Sequence, residues 1–395
     1  MHIPPHGIDT DTTVIIVGAG STGLALAHGL KKAGIPFIII EKHDSVEAQP
    51  RDWNMGLHWG AGPLESLIPK DRWAPEHDFM NFLNGETGEQ MGAIPANKFY
   101  RLRRRKLRGL LAPGLDVHYG QRLHDIKYLD DGERVTAILT DGKRITARLI
   151  VGADGSRSDT RNILLSPDAA AVRQLPYCAT FIQARFSTEH AVFLRSFHPL
   201  FLAAPHPAGY MAFFGMHDAE DSLRPETWMF FFYISWHSTH EEQARTAEWT
   251  NAQRLQQAKG FAKLFVDPWK SAYEWLPDDH QVWYMNLTDF DPREPQHRWD
   301  SRGGRVTLAG DAAHAMTYQR GQGLNHSFTD AMKLTEAIEA FASQLSAIAE
   351  YEDEMISRSG AEVALSTLNT GMVHDWEKVL KSPVMTSGMK RTQGD

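Results

Sequence analysis

Apolar positions along this chain switch between strand-like and helix-like periods, and the switches delimit its elements. The β-branched run Val14, Ile15, Ile16, Val17 predicts a short buried strand. Gly18-Ala19-Gly20-Ser21-Thr22-Gly23 interrupts it, and Leu24, Ala25, Leu26, Ala27 and Leu30 then form the apolar side of a helix. After Gly34 a second run, Phe37-Ile38-Ile39-Ile40, ends on Glu41. Two later β-runs also close on a glycine beside an acid: Leu149-Ile150-Val151 before Gly152-Ala153-Asp154-Gly155, and Val306-Thr307-Leu308 before Ala309-Gly310-Asp311. Helical period returns after Gly321-Gln322-Gly323-Leu324-Asn325, where Leu324, Phe328, Ala331, Leu334, Ile338 and Phe341 recur about every 3.6 residues. From about residue 346 the chain again reads as helix, with Tyr351, Met355 and Ile356 on its apolar side.

Between these segments lies a region of different character. Residues 179–186, 210–215 and 228–236 are rich in aromatic and β-branched side chains and read as strands of a mostly antiparallel sheet. In the last, Phe230, Phe232, Ile234 and Trp236 fall on one face, and Met229, Phe231 and Tyr233 on the other. Either set suits core packing, and whichever faces a ligand also provides a flat apolar wall. Arg101, Arg104, Arg105 and Arg108 recur at helical spacing opposite Leu107, Leu110 and Leu111, which predicts a helix with a solvated basic face.

Composition narrows the function classes. With 41 basic against 49 acidic residues in 395, the net charge of -8 disfavours a nucleic-acid partner. Cys178 is the only cysteine, so neither an intrachain disulfide nor a cysteine metal cluster is expected, and a reducing, cytoplasmic location fits. Residues 1–13 lack the charged start and apolar run of a secretory signal. The most apolar run, residues 228–236, is strand length and far short of the ~20 residues that span a bilayer. No metal site is expected.

The glycine turns carry the candidate chemistry. Gly18 permits a tight turn, Gly20 lets backbone amides approach a pyrophosphate, and Gly23 lets the helix pack on the strand. The helix start at Ser21 and Thr22 faces phosphate with its partial positive charge. Glu41, with Lys42 beside it, stands where an acid binds a ribose hydroxyl pair. This motif alone does not separate FAD from NAD. Together with the Asp154-Gly155 and Gly310-Asp311 motifs, in that order from Val14 to about Asp330, it resembles the single-component flavoprotein monooxygenases related to para-hydroxybenzoate hydroxylase. The resemblance implies an α/β fold: a Rossmann-type (GR2-like) FAD-binding domain on residues 1–75, 100–165 and 300–345. It further implies an inserted, mostly antiparallel β-sheet substrate domain on residues 76–99 and 166–299, and a C-terminal helical segment on 346–395.

Residue by residue, the same resemblance implies FAD contacts at Gly18, Gly20, Ser21, Thr22, Gly23, Glu41 and Lys42, with Glu41 on an exposed adenosine edge. It adds Arg51 and Gly56 near the flavin, Arg104 reaching the phosphates, Asp154 near the pyrophosphate, and Gly310 and Asp311 on the ribityl chain. Gly321, Gly323, Leu324 and Asn325 then lie beside the ring, where a helix dipole stabilises reduced flavin. Ala315 and Tyr318 depart from the prolines usual in this loop. The candidates for chemistry are His58, Tyr318 and Arg320, since histidine titrates near neutral pH and the other two follow the Gly310-Asp311 motif.

The implied reaction takes electrons transiently from NAD(P)H and passes one oxygen of O2, through a flavin C4a-hydroperoxide, to a small aromatic or polycyclic substrate by hydroxylation or epoxidation. Residues 54–59 and the loop after Asp311 resemble fungal natural-product tailoring hydroxylases. Signatures of flavin halogenases (WxWxIP) and Baeyer–Villiger enzymes (FxGxxxHxxxW) are absent. A flavin oxidase, a dehydrogenase and a non-catalytic FAD scaffold stay open. The expected partners are a small-molecule substrate and O2, with the chain a monomer or homodimer.

Overall fold

The computed structural model describes residues 14–48, 52–68, 77–340 and 344–388. Val14–Val17 forms the centre of a five-stranded parallel sheet in the order Val306–Leu308, Leu149–Gly152, Val14–Val17, Phe37–Ile40, Val117–His118. Val14–Val17 and Leu149–Gly152 are buried throughout, which explains why they read as unbroken apolar runs. Because the strands are parallel, the glycine-acid motifs that end three of them, at Gly18, Gly152 and Gly310, gather at one edge.

Helices Ser21–Lys32 and Gly323–Glu339 share a core with Ile16, Val151 and Leu308 on one face of this sheet. The other face, with Ile15, Ile40 and Ile150, packs on a three-stranded antiparallel meander of Leu123–Tyr128, Val135–Leu139 and Arg144–Ala147. The 30-residue helix Gln344–Val373 adds Ile348, Tyr351, Met355 and Ile356 to the first core. Phe341, expected in the preceding apolar stripe, lies outside the described residues.

The second sheet has eight strands, ordered Trp283–Asp289, Arg173–Ala184, Met229–His237, Tyr210–Asp218, Phe201–His206, His77–Leu83, Gln90–Arg103, Asn54–Leu57. It is antiparallel except where Phe201–His206 meets His77–Leu83. Its two faces have different uses. Phe230, Phe232 and Ile234 pack against Leu255, Ala258, Trp269 and Tyr273 of covering helices. Phe231 and Tyr233 emerge on the opposite face with Phe181, Phe213 and, from the loop after Asp311, Tyr318.

The arginine pattern at residues 101–108 resolves differently from its helical spacing. Pairing of Asn54 with Arg103 through Leu57 with Tyr100 holds residues 100–103 extended, and the helix starts only at Arg104. Arg101 is thus a strand residue, and Arg108 is buried on the same side as Leu107 and Leu111. Among the described residues no helix is long and apolar enough to cross a membrane, and no cluster of His, Cys, Asp or Glu is arranged to hold a metal.

Candidate active site

Close approaches of backbone knit the three motifs together. Gly18 has φ 108°, and a Cβ there would stand 2.6 Å from the Ala153 carbonyl oxygen in the Asp154 motif. Gly310 has φ 63°, and its Cβ would stand 2.5 Å from Thr22 Oγ1 in the first helix. Both positions require the left-handed backbone and the missing side chain. Gly20, by contrast, borders open space, its nearest neighbour being the Ala153 carbonyl at 3.9 Å, so backbone amides there are accessible to a phosphate.

Glu41, at the end of the second strand, is 4% exposed. One oxygen accepts the Ala19 N–H at 2.8 Å, and the other accepts the His43 N–H at 3.0 Å and lies 2.5 Å from His43 Nδ1. Burial alone would raise the Glu41 carboxyl, but these His43 and Ala19 donors hold it below the usual range. Glu41 therefore braces the glycine turn from beneath, while neighbouring Lys42 is exposed.

Arg108, which the spacing assigned to a solvated face, donates from Nε to the Ala19 carbonyl and from Nη1 to the Val46 carbonyl, both at 3.0 Å. Arg104 stacks its guanidinium 5.2 Å from the Trp53 ring, and its charge is felt by Asp311, Asp52 and Glu41. It thus stands between the acids of the first and last motifs. Arg51 lies outside the described residues.

Asp154 caps its own loop, accepting from Ser158 Oγ at 2.5 Å and from the Thr160 N–H at 3.0 Å. Burial raises its pKa, with those donors acting against the rise. Arg161 ties this loop to the last motif, donating to the Ser156 carbonyl at 2.6 Å and the Ala312 carbonyl at 2.8 Å. Beyond Gly310, the fully buried Asp330 accepts the Gly310 N–H at 2.8 Å, His314 Nε2 at 2.6 Å and Arg358 Nη2 at 2.7 Å.

Asp311 differs from these acids. Its side chain lies deep enough for burial to raise its pKa, yet its surface is open. No described residue donates a hydrogen bond to its carboxylate. A Cβ at Gly323 would stand 3.8 Å from Asp311 Oδ1, so this carboxylate lies beside the start of helix Gly323–Glu339. An accessible carboxylate, short of donors, suits a polyhydroxyl chain. The residues present therefore fit the ribityl part of FAD, and the open amides at Gly20 fit its phosphates. Two surface clefts of about 410 and 470 Å³ are lined elsewhere, and neither contains a motif acid.

The segment after Asn54 is fastened to the loop beyond Asp311 by Asn325. Its Oδ1 accepts the N–H groups of His58 at 2.8 Å and Gly60 at 3.1 Å, and its Nδ2 donates to the carbonyls of Gly321 at 3.0 Å and Gly56 at 3.4 Å. Asn325 is fully buried, Leu324 is half-buried, and all four hydrogen-bonding positions of Asn325 go to protein. The His58 ring reaches the same loop: a Cβ at Gly321 would lie 3.8 Å from His58 Nε2. Tyr318 meets Phe181 and Tyr233 edge-on, at 5.3 and 5.1 Å between ring centres. Arg320 is fully buried in an ion pair with Glu362, which also accepts from Ser366 Oγ at 3.0 Å.

Burial, and secondarily the Arg101 charge, lowers His58 to about 3, so it is uncharged at neutral pH. The unfolded chain binds this proton first, near pH 6.5, so the contribution to stability is complete above that pH and is lost as pH falls toward 3. Urea unfolding of His58→Gln across pH 4 to 7 is expected to show a flatter loss of stability than the wild type. Parallel profiles would contradict the buried neutral state.

Sequence reasoning did not single out Arg161, Asp330 or Arg358, whose partners are brought in by folding, nor the turn-bracing role of Arg108. Residues 11–55 and 88–361 match the FAD binding domain family. The chain is 33% identical over 395 residues to the FAD-dependent monooxygenase cctM of Talaromyces islandicus, covering 96% of this chain and 97% of that protein. It is 34% identical over 403 residues to the FAD-dependent monooxygenase phnB of Penicillium herquei, covering 97% and 96%. Its fold is similar to that of Klebsiella pneumoniae HpxO complexed with FAD and uric acid, with a TM-score of 0.75 at 18% identity, covering 96% and 92%. Relatives aligned over nearly the whole chain agree with the cradle its own residues build: the chain belongs to the FAD-binding monooxygenase family and is an FAD-dependent monooxygenase.

Proposed function

We propose that this enzyme uses NAD(P)H and O2 to hydroxylate a flat aromatic or polycyclic substrate drawn from secondary metabolism. The observation that carries this reading is the aromatic face of the large sheet, where Phe213 and Tyr233 stack at 5.4 Å and Phe181 and Tyr318 close around them. Such a face accepts a flat ring by offset or edge contact and keeps water from it. FAD, when bound, supplies the redox and oxygen-activating chemistry. The chain's part is to hold and orient. Gly18, Gly20, Ser21, Thr22 and Gly23 would grip the pyrophosphate, and Asp311 the ribityl hydroxyls, with Arg104 balancing charge between them. Glu41, Asp154 and Asn325 act through the backbone they brace. Tyr318 forms pocket wall, and the Arg320–Glu362 pair positions the loop that carries it. No second strand-glycine-helix unit is present in residues 166–300, which supports a transient visit by NAD(P)H.

Purified holoenzyme supplied with NADPH or NADH and 18O2, over a panel of phenols, polyketides and indole alkaloids, is expected to yield a product with one labelled oxygen. Reduced-cofactor consumption that ends only in hydrogen peroxide with every compound would overturn the reading in favour of an oxidase.

A further inference from the structure

The aromatic face is interrupted by a cation. Arg101 lies in strand Gln90–Arg103, opposite Gly56 of the edge strand Asn54–Leu57. Its neighbours Tyr100 and Leu102 pack into the core of the parallel sheet, so strand alternation turns Arg101 to the other side. There its guanidinium stands 4.7 Å from the Phe213 ring centre and 5.3 Å from that of Phe201. Its Nε is buried without a hydrogen-bond partner, and no carboxylate pairs with it among the described residues. Arg103, two positions on, is the contrast: it bridges Asp52 and Asp218, each at 2.6 Å.

Burial lowers Arg101 to about 10, with the Tyr233 phenol acting the other way, so the cation persists at neutral pH. Its charge reaches His58 on one side and Tyr233 on the other. Arg101 therefore stands between the aromatic face and His58, whose ring approaches Gly321. A buried charge without a counter-ion is unfavourable, and cation–π contact with two rings offsets only part of that cost.

We propose that Arg101 anchors an ionised oxygen group, a phenolate or a carboxylate, on the substrate whose ring lies against the aromatic face. This rests on the aromatic-substrate reading above. The guanidinium fork takes a carboxylate through two parallel N–H donors, or a phenolate through one or two. Burial raises the Tyr233 phenol far above its ordinary range, so it stays protonated as a neutral neighbour. An anion held here has a chemical consequence. Pairing with Arg101 favours the ionised form of a bound phenol and so enriches its ring in electrons, a task for which His58, lowered to about 3, is a poor base.

The test uses oxidised holoenzyme and two matched ligand pairs, 2-naphthoate with 2-naphthamide and 4-nitrophenol with 4-nitroanisole. Binding is read by flavin absorbance and equilibrium dialysis, and FAD content is measured for every variant. The wild type is expected to prefer the ionisable member of at least one pair by about tenfold or more. The pair that shows it distinguishes carboxylate from phenolate. Arg101→Met is expected to erase the preference. Arg101→Lys, which keeps the charge and guards against a folding defect in the first variant, is expected to retain part of it. Equal affinities within both pairs, absence of binding by all four ligands, or a preference that survives in Arg101→Met would overturn the assignment. Labelled-oxygen transfer without anion preference sinks Arg101 alone. Anion preference without oxygen transfer sinks the reaction and spares the anchor.

Discussion

Asp330→Ala is expected to lower stability by about 3 to 5 kcal/mol, the usual cost of removing one partner from a buried ion pair. Asp330 and His314 are fully buried, and Arg358 is 4% exposed. The alanine variant leaves the Arg358 cation, His314 and the Gly310 N–H facing a void. Arg358 keeps Glu354 at 2.9 Å, which sets the loss at the lower rather than the upper end of that range. Burial opposes the Asp330 charge, but His314 and Arg358 outweigh it and hold the carboxyl far below the usual range. Its folded pKa is depressed, so the stabilisation is present above about pH 4, the unfolded carboxyl value, and is lost on acidification. Because the N–H of Gly310 is oriented by this carboxylate, FAD retention should fall with stability. Urea unfolding at neutral pH, with FAD content measured on the same samples, checks both. A loss below about 1 kcal/mol would mean that water or Glu354 replaces Asp330 and that the network is not structural.

Asp330 also marks the boundary of what the sequence makes legible. Val14–Val17, the glycine turn and Glu41 can be read because their meaning is local: a buried parallel strand must be apolar throughout, and a tight turn must be glycine. The alternation at residues 229–236 is equally local, though only the structure says that Phe231 and Tyr233, not Phe230 and Phe232, share a face with Tyr318 from the loop after Asp311. Asp330, Arg161 and Arg358 sit in helical sequence with nothing beside them to mark them. Their roles arise from partners many residues away, such as Ala312 for Arg161 and Gly310 for Asp330. Arg101 illustrates a different failure, a competition between periods. Arginines spaced by three and four satisfy a helical template, but pairing with residues 54–57 extends the chain through Arg103 and turns one of them inward. For Glu41, spacing says where an acid stands, and only folding shows that the Ala19 and His43 amides donate to it.

Asp311→Ala is expected to separate FAD affinity from the stability of the apoprotein, weakening the first without harming the second. The Asp311 carboxylate has no hydrogen-bond donor from the described residues, and burial raises its pKa, so in the apoprotein it is a cost rather than a support. A carboxyl whose folded pKa is raised contributes stability below its unfolded value of about 3.9 and loses it as pH rises through the folded value. At neutral pH the alanine apoprotein should therefore melt no lower than the wild type. The flavin's hydroxyls would be the donors this carboxylate lacks, and a hydrogen bond to a charged group is worth about 1.5 to 3 kcal/mol, or roughly 10- to 150-fold in the dissociation constant. Glu41→Gln is expected to show the opposite signature, because Glu41 already bonds Ala19 and His43 without any ligand. Its apoprotein should melt lower, and FAD binding should weaken only as far as the glycine turn loosens. Fluorescence titration of both apoproteins with FAD, paired with calorimetry before the cofactor is added, resolves the two. An unchanged FAD dissociation constant in Asp311→Ala, or an apoprotein that melts as low as Glu41→Gln, would remove Asp311 from the cofactor site and return it to the scaffold.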